Sequence, residues 1–464
     1  MAKEPGGGRK KAYIVKPPLL GFLPLEFFDG VKRGQMIAPG SILFLILAVS
    51  PLIVWLSHDP GSVRDPWIAG AKTCAFLAIS TLSVNYILAM RWSVLENLFN
   101  GLDRMYRVHK AIGRSSLIFM VLHPVFLGIS KIPDGETILT YILPIGSWDV
   151  AAGVIALYLF VILLALTVAV RFSYHLWHIS HKFLGIVLVL ALLHALSAGS
   201  DMGSYPILRF WIILLSSAGL ISYIYMLFLY KIVGPRFRTR VRRVDHLANM
   251  TEIQIEKPEG FSYLPGQYIF VRFPRFEGYR ELFPFSLSND PSQGHIRISI
   301  RRSGDFTSRK IPLLRDGDDV IIMGPYGKFG ERYMKHDKDM VWLAGGIGIT
   351  PFLSLAKHES LFPTGRRIQL IWVFRDPKDP THDSELFMEA RKNPKFDYVH
   401  WISSRKGRLD AEKISEIIGG DEELKRRVIM MCGPPKMISS LARDLKKKGI
   451  PYGNMMFEDF DMLD

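Results

Sequence analysis

The sequence predicts a membrane all-α bundle of six helices, followed by a cytosolic β-barrel domain and an α/β domain with a parallel sheet. Three observations predict this order. Apolar residues make up 49% of the 464 residues, and they concentrate between 37 and 230, in runs near the ~20 residues that a membrane helix needs. From 236 onward, short β-branched runs alternate with Gly and Pro, which is typical of antiparallel strands. From 338 onward, strand patterns alternate with helical ones, which indicates a parallel sheet.

The composition excludes several classes of protein. Mean hydropathy is +0.17 and only 22% of residues are charged, which is too apolar for an ordinary soluble enzyme. Two distant cysteines, Cys74 and Cys432, exclude a disulfide framework and a zinc or iron–sulfur site with several Cys ligands. The net charge of +15 lies largely in short basic runs beside apolar segments, which favours a lipid bilayer over nucleic acid as the partner.

Six segments are long and apolar enough to cross a bilayer. The loops before the first, between the second and third, between the fourth and fifth, and after the sixth are rich in Lys and Arg, whereas the other loops are not. The positive-inside rule therefore predicts that both termini are cytoplasmic. The segments lie at about Ile37–Leu56, Trp67–Met90, His109–Ser130, Val150–Phe172, His181–Ser197 and Pro206–Tyr230.

Four histidines lie on the third and fifth segments: His109, His123, His181 and His194. Ionisable residues inside a membrane are costly and usually functional. His109 and His123 are 14 residues apart, and His181 and His194 are 13 residues apart, which corresponds to about 20 Å of helix in each segment. His109 is therefore expected to be level with His181, and His123 with His194. Two facing pairs are what two stacked six-coordinate haems require. The alternative for a single membrane histidine is a hydrogen bond between helices.

The fifth segment does not fit this pairing as an ideal helix. Thirteen residues turn His194 about 140° away from His181, so the pairing requires a tilt or a local irregularity. His175 and His178 are alternatives for the inner position.

One string in the β-barrel region suits a flat ring system. Phe285, Ser286 and Ser288 belong to a predicted edge strand, where an aromatic ring can stack and a hydroxyl can bond to a ring heteroatom. The alternative is an ordinary β core.

A second string suits a pyrophosphate. Arg301, Gly304 and Thr307 place a basic residue, a glycine and a hydroxyl at a predicted strand end. The alternative is an exposed basic hairpin.

A glycine-rich turn follows the predicted strand at 341–343 and opens a helix. Glycines there let backbone N–H groups and a helix N-terminus approach a dinucleotide phosphate, although the spacing differs from the usual Rossmann pattern. The residues of this turn are Gly345, Gly346, Gly348, Thr350 and Pro351.

A later apolar strand ends at Cys432, Gly433 and Pro434. The carboxyl end of such a strand is where α/β sheets bind ligands. The alternative for Cys432 is a small core residue.

Together these motifs resemble the NADPH oxidase and ferric reductase superfamily, including its bacterial members, from about Leu102 to the C-terminus. The resemblance implies a cytosolic segment at 1–36, a six-helix haem domain at 37–230, an FAD-binding β-barrel domain at 236–335 and an NADPH-binding α/β domain at 338–464. It implies FAD, NADPH and two b-type haems as cofactors, in a multi-pass protein of the cell (inner) membrane.

The resemblance also gives roles to residues already singled out. The four histidines match the axial haem ligands, while the strings at 285–288 and 301–307 match the contacts to the flavin ring and its pyrophosphate. The glycine-rich turn matches the nicotinamide-dinucleotide loop, and the strip at 432–434 lies beside the nicotinamide. Phe460 matches the aromatic that covers the flavin ring, with Phe457 as the fallback.

One departure concerns Phe283, which stands where the family usually has His or Arg. The choice between FAD and FMN is therefore open, with Arg280 or Arg302 as possible substitutes for the missing group.

The preference for NADPH over NADH depends on another set of basic residues. Arg375 follows the strand where the ribose is expected, and Arg408 or Arg405 is the second candidate for binding a 2′-phosphate. A solvated basic face is the alternative.

The resemblance implies electron transfer from cytosolic NADPH, through FAD and two b-type haems, to molecular oxygen outside, producing superoxide. Lys72, near the outer end of the second segment, is expected to stabilise the developing superoxide charge. The alternatives are a ferric or other metal-chelate reductase, an electron-supply subunit for a periplasmic redox protein, and a soluble-type reductase on a haem-free anchor. We expect no obligatory protein partner and no EF-hand calcium loop.

Overall fold

The computed structural model describes residues 38–58, 65–132, 139–145, 147–168, 174–198, 201–234, 236–247, 249–276, 282–375 and 381–459. Among these residues, Leu43–Met90 and His109–Leu227 form one compact unit, called here the helical unit. Residues 38–42, Arg91–Val108 and the chain from Phe228 onward form a second, called the sheet unit. The predicted order of membrane helices, antiparallel barrel and parallel α/β domain is confirmed.

Six helices of the described chain are long and apolar enough to span a membrane. The second begins at Pro66, after Asp65, whose carboxylate caps it by accepting a hydrogen bond from the Trp67 N–H at 2.8 Å. The helices up to the first strand are α1 Pro39–His58, α2 Pro66–Leu88, α3 Ser93–Phe99, α4 Leu102–Lys131, α5 Leu139–Ile142, α6 Trp148–Val168, α7 Tyr174–Lys182, α8 Leu184–Ser197, α9 Asp201–Ser204, α10 Pro206–Ile224, a π-helical turn Tyr225–Leu229 and α11 Tyr230–Val233.

The two histidine-bearing spans differ from the predicted segments. Both begin before their first histidine, so His109 lies inside α4 and His181 lies inside α7. The fifth span is also interrupted at Phe183, between α7 and α8. There the Phe183 N–H donates to the Ser180 carbonyl at 3.1 Å, which is the tighter i→i+3 pattern of a 3₁₀ turn. This break is the irregularity that the spacing of the histidines requires.

Small residues let α2 and α10 approach closely within the helical unit. A Cβ on Gly219 would lie 2.7 Å from the Ser83 carbonyl oxygen, and the Ser83 and Ser216 hydroxyls are 3.1 Å apart. Close backbone contact and hydrogen bonds between hydroxyls are how helices associate in lipid, where apolar burial supplies no driving force.

The barrel consists of six antiparallel strands. Their order is β4-β3-β6-β1-β2-β5, and a bridge between Leu287 and Ile298 connects the two edges. Alternate residues point inward, so that Ile253, Val271 and Val320 are among the fully buried residues of the core. The strands are β1 Arg236–His246, β2 Met250–Glu256, β3 Tyr268–Arg272, β4 Phe283–Ser286, β5 His295–Arg301 and β6 Asp319–Tyr326.

The α/β domain has a five-stranded parallel sheet in the order β11-β10-β7-β8-β9. Both faces are covered, since Trp342 packs in one apolar cluster and Leu343, the next residue, in another. The strands are β7 Met340–Gly345, β8 Ile368–Phe374, β9 Phe396–Ile402, β10 Val428–Gly433 and β11 Met455–Asp459. The helices are α12 Phe329–Lys335, α13 Thr350–Leu361, α14 Asp383–Lys392, α15 Ser403–Lys406, α16 Ala411–Ile418, α17 Asp421–Arg426 and α18 Pro435–Lys447.

A polar contact joins the barrel to the α/β domain. The Arg297 guanidinium in β5 lies 2.7 Å from the Glu385 carboxylate in α14, and only 14% of the Arg297 side chain is exposed. Burial alone would raise the pKa of Glu385, but the His382 ring and the Arg297 charge outweigh it and lower the pKa to about 2. The two domains therefore share a carboxylate that stays ionised at neutral pH.

The segment between the second and third spans belongs to the sheet unit. The Glu96 carboxylate accepts a hydrogen bond from the Gly327 N–H at 2.9 Å, and the Arg91 guanidinium lies 4.0 Å from the centre of the Phe270 ring. Gly327 is tied in turn to the barrel, because its carbonyl accepts a hydrogen bond from Gln267 Nε2 at 3.1 Å. A loop of the membrane region thus packs on the barrel strands.

Glu385→Gln is expected to destabilise the sheet unit by about 1.5–3 kcal/mol, because it removes the closer of the two carboxylates beside the buried Arg297 guanidinium and leaves only Glu252 at 3.8 Å. The wild-type contribution is full above pH 4.5 and declines as the pH falls toward 2, because the pKa of Glu385 is lowered by folding. Thermal unfolding of the full chain at several pH values measures both effects. Glu422→Gln, at an exposed pair with Lys425, is the control and should leave stability close to that of the wild type. Equal losses of stability in the two variants would show that the contact between Arg297 and Glu385 does not stabilise the sheet unit.

Candidate functional site

The structure brings the four predicted histidines of the helical unit together as two pairs. The ring centres of His109 and His181 are 6.2 Å apart, and those of His123 and His194 are also 6.2 Å apart. In each pair one ring comes from α4 and the other from the interrupted fifth span. His181, rather than His178, is therefore the residue of the fifth span whose ring faces His109, and the side chain of His175 lies outside the described ones.

The spacing of each pair fits a metal ion held between two imidazoles. Imidazole nitrogens bind metals at about 2.0–2.1 Å, so two rings on opposite sides of one ion have centres about 6 Å apart. The observed 6.2 Å meets this requirement twice. Axial histidines in this arrangement are a known way of holding haem iron.

Hydrogen bonds to backbone carbonyls fix the tautomer of three of the four histidine rings. Nδ1 of His109 lies 3.1 Å from the Asn85 carbonyl oxygen, that of His123 lies 2.9 Å from Ala71, and that of His194 lies 2.7 Å from Asp149. A carbonyl only accepts, so Nδ1 carries the proton in each neutral ring and Nε2 is left as a lone-pair donor. Such second partners orient a ligating histidine and raise its basicity.

His181 is held differently from the other three histidines. Its Nδ1 is buried and has no hydrogen-bond partner among the described residues. Its ring stacks on Trp177 instead, with ring centres 5.3 Å apart and planes at 21°. Aromatic stacking, rather than a carbonyl, therefore sets the orientation of this ring.

A cavity of about 400 Å³ lies beside the second pair and is lined by His123 and His194. Gly153 of α6 makes room for the His194 ring, since a Cβ there would lie 2.8 Å from Nδ1. Lys72 lines the same cavity, and its ammonium is 2.8 Å from the Asp201 carboxylate. The lysine predicted to act on the acceptor is therefore in an ion pair.

The flavin string lies where the sequence predicts, on edge strand β4 of the barrel. Phe285 is half-buried and Ser286 is buried. The Ser286 hydroxyl has no hydrogen-bond partner in the described part of the chain, which fits a position that bonds to a cofactor. Ser288 differs, because it is fully buried and its hydroxyl accepts a hydrogen bond from Arg297 Nε at 3.1 Å.

Phe283 has a packing role. Its ring stacks on Phe306 with centres 4.1 Å apart and planes at 12°. Phe306 is buried and belongs to the basic run at 301–307. Phe283, the residue that departs from the family pattern, therefore connects the flavin string to the predicted pyrophosphate loop.

The predicted pyrophosphate residues shape one loop after β5. The Thr307 hydroxyl accepts hydrogen bonds from the Ser303 and Gly304 N–H groups, both at 3.0 Å. It thus orders the loop rather than offering a free hydroxyl. The Arg301 side chain is exposed and approaches the glycine turn, since a Cβ on Gly346 would lie 3.2 Å from Arg301 Nη1.

The glycine turn and the strip after β10 pack backbone against backbone. A Cβ on Gly348 would collide with the Cys432 carbonyl, and one on Gly433 would lie 2.9 Å from Gly345 Cα. Gly346 has a positive φ of 54°, a conformation that favours glycine. These contacts require the absence of a side chain at Gly345, Gly348 and Gly433, which leaves the backbone in front of helix α13 accessible, as a phosphate cradle requires.

Helix α13 begins directly after this turn. Thr350 is its first residue and Pro351 occupies the first turn, where a proline is tolerated. The Thr350 hydroxyl donates to the Ile347 carbonyl at 3.0 Å, so it stabilises the turn itself.

The basic residues predicted for a 2′-phosphate lie at two adjacent strand ends. Arg375 follows β8, while Arg405 and Arg408 follow β9, and all three are exposed. The Ser403 hydroxyl donates to the Phe374 carbonyl at 3.1 Å and so ties these two ends together.

Several predicted residues lie in the core or outside the described chain. The Cys432 side chain is fully buried in an apolar cluster of the α/β domain, whereas Pro434 is exposed. Phe457, the fallback for the flavin cover, is buried against Tyr452. Phe460 and Arg280 lie outside the described residues.

Sequence reasoning missed two residues of the cavity, Gly153 and Asp201. Gly153 carries no sequence signal, because its role is to leave space for a ring from another helix. Asp201 had one available signal, since it is an acidic residue in a short loop between two apolar spans.

Comparisons with known proteins match three families along the chain. Residues 74–192 match the family described as ferric reductase like transmembrane component. Residues 237–329 match an FAD-binding domain, and residues 342–443 match an oxidoreductase NAD-binding domain. The order of the three domains agrees with that of the fold.

Three relatives illustrate the similarity. The reductase component of propane 2-monooxygenase from Rhodococcus jostii is 26% identical over 48% of this chain and 63% of its own length. A superoxide-generating NADPH oxidase heavy chain of Dictyostelium discoideum is 27% identical over 38% of this chain and 39% of its own. The putative respiratory burst oxidase homolog protein G of Arabidopsis thaliana is 28% identical over 40% and 24%. The chain spans less than two thirds of each relative.

If each histidine pair holds one haem, Gly153→Ala is expected to remove one of them, because the added Cβ displaces the His194 ring from its partner. Haem per chain, measured as the pyridine haemochrome, should fall by about half. Gly203→Ala is the matched control, since a Cβ there meets nothing within 4 Å. Retention of full haem content by Gly153→Ala would show that His194 is not held as described.

Ser286→Ala is expected to weaken flavin binding about fivefold, because one hydrogen bond of about 1 kcal/mol is lost. Fluorescence titration of the flavin-free protein with FAD and with FMN measures the affinity. Ser439→Ala, at an exposed serine of α18, serves as the control. An unchanged affinity for both flavins would remove Ser286 from the site.

Proposed function

Since this chain belongs to the NADPH oxidase and ferric reductase superfamily, we propose that it is a transmembrane NADPH oxidase. It carries electrons from cytosolic NADPH, by way of FAD and two b-type haems, to molecular oxygen on the other side of the membrane, which is reduced to superoxide. The observation that carries this proposal is the occurrence of two histidine pairs at the same 6.2 Å spacing within one apolar bundle.

The bound groups supply the redox chemistry: FAD converts the two-electron hydride of NADPH into single electrons, and the haems accept them one at a time. The residues of the chain hold these groups and set their surroundings. The Asn85, Ala71 and Asp149 carbonyls keep three imidazoles neutral with Nε2 available. The apolar bundle keeps water away from the pairs, so no proton needs to accompany the electron.

The sheet unit binds the flavin and the dinucleotide. Ser286 offers a hydroxyl without a protein partner at the edge of the barrel, and Gly346 leaves the phosphate cradle open beside Arg301. Arg375 and Arg408 extend from neighbouring strand ends and attract the 2′-phosphate that distinguishes NADPH from NADH.

His123 and His194 would hold the outer haem, which would supply the electron that reduces oxygen. The cavity of about 400 Å³ that these two histidines line is the space that this haem would enter. Lys72 lines this cavity and stabilises the negative charge that develops as oxygen becomes superoxide. The protein works in the cell (inner) membrane with both termini in the cytoplasm, and it requires no protein partner.

The test of this function is NADPH-driven reduction of cytochrome c in air by the purified, haem-loaded protein. Superoxide dismutase should abolish most of the signal, because superoxide carries the electron to cytochrome c. A signal that dismutase leaves unchanged would indicate direct transfer to a metal chelate or a redox protein. The absence of a bis-histidine haem spectrum would instead indicate a reductase on a haem-free anchor.

Lys72→Met is expected to lower superoxide production about tenfold, a change of about 1.4 kcal/mol in the barrier. The reason is the loss of the cation that faces the developing charge. Lys131→Met, at the end of α4 and outside the cavity, is the matched control and should retain the wild-type rate. If Lys72→Met keeps both its haem and its full rate, Lys72 has no part in the reaction.

A further inference from the structure

We propose that Trp177 is a positioning residue for His181, and that it holds this histidine as a weaker electron donor than the other three paired histidines. A haem iron between His109 and His181 is then easier to reduce than it would be if His181 also bonded to a carbonyl. The inference rests on the proposed function in one respect, because it assumes that each histidine pair holds a haem.

The first observation is the missing partner of His181. The other three paired histidines each place Nδ1 within 2.7 to 3.1 Å of a backbone carbonyl oxygen. Nδ1 of His181 is buried and has no such acceptor in the described ranges of the chain. The pair of His123 and His194 therefore has two hydrogen-bonded rings, whereas the pair of His109 and His181 has one.

The second observation is the contact that replaces this hydrogen bond. Trp177 precedes His181 by four residues on α7, so the two side chains lie on the same face of the helix. Their ring centres are 5.3 Å apart and their planes are nearly parallel, at 21°. An imidazole N–H lies in the plane of its ring, so the Nδ1–H bond of His181 runs alongside the indole and does not point at its face. Trp177 therefore restricts the rotation of the His181 ring without accepting its proton.

The chemistry follows from the distribution of electrons in a ligating imidazole. When Nδ1–H donates to a carbonyl, the ring gains electron density and becomes a stronger donor at Nε2. A stronger donor stabilises ferric iron more than ferrous iron, so it lowers the reduction potential of a haem. His181 lacks this hydrogen bond. With Nε2 as its ligating atom, it favours ferrous iron more than a carbonyl-bonded histidine does.

The position of this pair gives the difference a use. In the proposed topology His109 and His181 lie toward the cytoplasm, at the end of the bundle where electrons enter. A weaker donor at this end favours the entry of each electron into the helical unit. Trp177 supplies the rigidity that a ligand needs, and it does so without the rise in basicity that a carbonyl partner brings.

The test compares the full-length, FAD- and haem-loaded wild type with Trp177→Gln, Trp177→Phe and Trp177→Leu. Trp211→Gln and Trp211→Leu are the matched controls, since the Trp211 indole donates to the Ser50 hydroxyl of another span at 2.6 Å. Each protein is titrated anaerobically with a reductant and redox mediators, and haem absorbance gives the midpoint potentials. EPR spectra of the oxidised proteins give the low-spin signal of each ferric haem, which depends on the angle between its two imidazole planes.

Trp177→Gln is expected to lower one of the two midpoint potentials and to leave the other unchanged. The variant brings an amide carbonyl within reach of the residue four positions later, so Nδ1 of His181 gains an acceptor. The equilibrium between ferrous and ferric iron should move about fivefold toward ferric iron, on the scale of one hydrogen bond. Trp177→Phe keeps an aromatic face and adds no acceptor, so it should keep both potentials.

Trp177→Leu tests the positioning role separately. Loss of the stacked ring lets His181 rotate, so the EPR signal of one haem should shift or broaden while the other signal is retained. Trp177→Phe should keep both signals, because it keeps the stacking. If Trp177→Gln binds only one haem, the EPR spectra of Trp177→Leu and Trp177→Phe decide the question.

The outcomes separate this inference from the function on which it rests. A wild-type protein without haem would overturn both. A protein with two haems whose reduction of cytochrome c ignores superoxide dismutase would overturn the oxidase function alone, because no step of the inference depends on the acceptor. Unchanged potentials in a fully haem-loaded Trp177→Gln, or unchanged EPR signals in Trp177→Leu, would overturn the inference alone. Equal changes in the Trp211 variants would also overturn it, because the whole bundle would then be responding to the loss of a tryptophan.

Discussion

Three of the four paired histidines of the helical unit depend on one interaction: a neutral imidazole inside an apolar bundle needs a partner for its N–H group. Backbone carbonyls of helix residues are normally engaged within the helix, yet Asn85, Ala71 and Asp149 also accept from His109, His123 and His194. Each of these bonds connects two spans. The positions of α2 and of the start of α6 relative to the histidine helices are therefore set by the same bonds that prepare the rings as ligands.

In the sheet unit, the corresponding constraint is close contact between two backbones. Gly348 lies against the Cys432 carbonyl and Gly433 against Gly345, so the glycine turn of β7 and the end of β10 fit together only without side chains. The Cys432 carbonyl thus matters more to the site than its buried thiol. The glycines that the sequence indicates for a phosphate cradle serve packing and binding at once.

Much of this arrangement could be predicted from the sequence, because apolar runs, histidine spacing and glycine turns follow directly from the helix and strand periods. Other features could not. The break at Phe183 has no proline to mark it, and Gly185 two residues later lies inside the next helix. Ser286 and Ser288 look equivalent in sequence, but only the Ser288 hydroxyl accepts a hydrogen bond from Arg297 of a neighbouring strand. Asp201 lies 129 positions from Lys72, so only the folded chain reveals the pair.

The Lys72–Asp201 pair connects the stability of the bundle with its chemistry. A lone lysine on a membrane helix costs about 2.5–3.5 kcal/mol when it lies at the centre of the bilayer, and less toward the interface. Asp201 offsets part of that cost at a distance of 2.8 Å, which lets a full positive charge lie beside the second histidine pair. The feature that makes the lysine tolerable in the bundle is thus also the one that keeps a cation beside the histidines that would hold the outer haem.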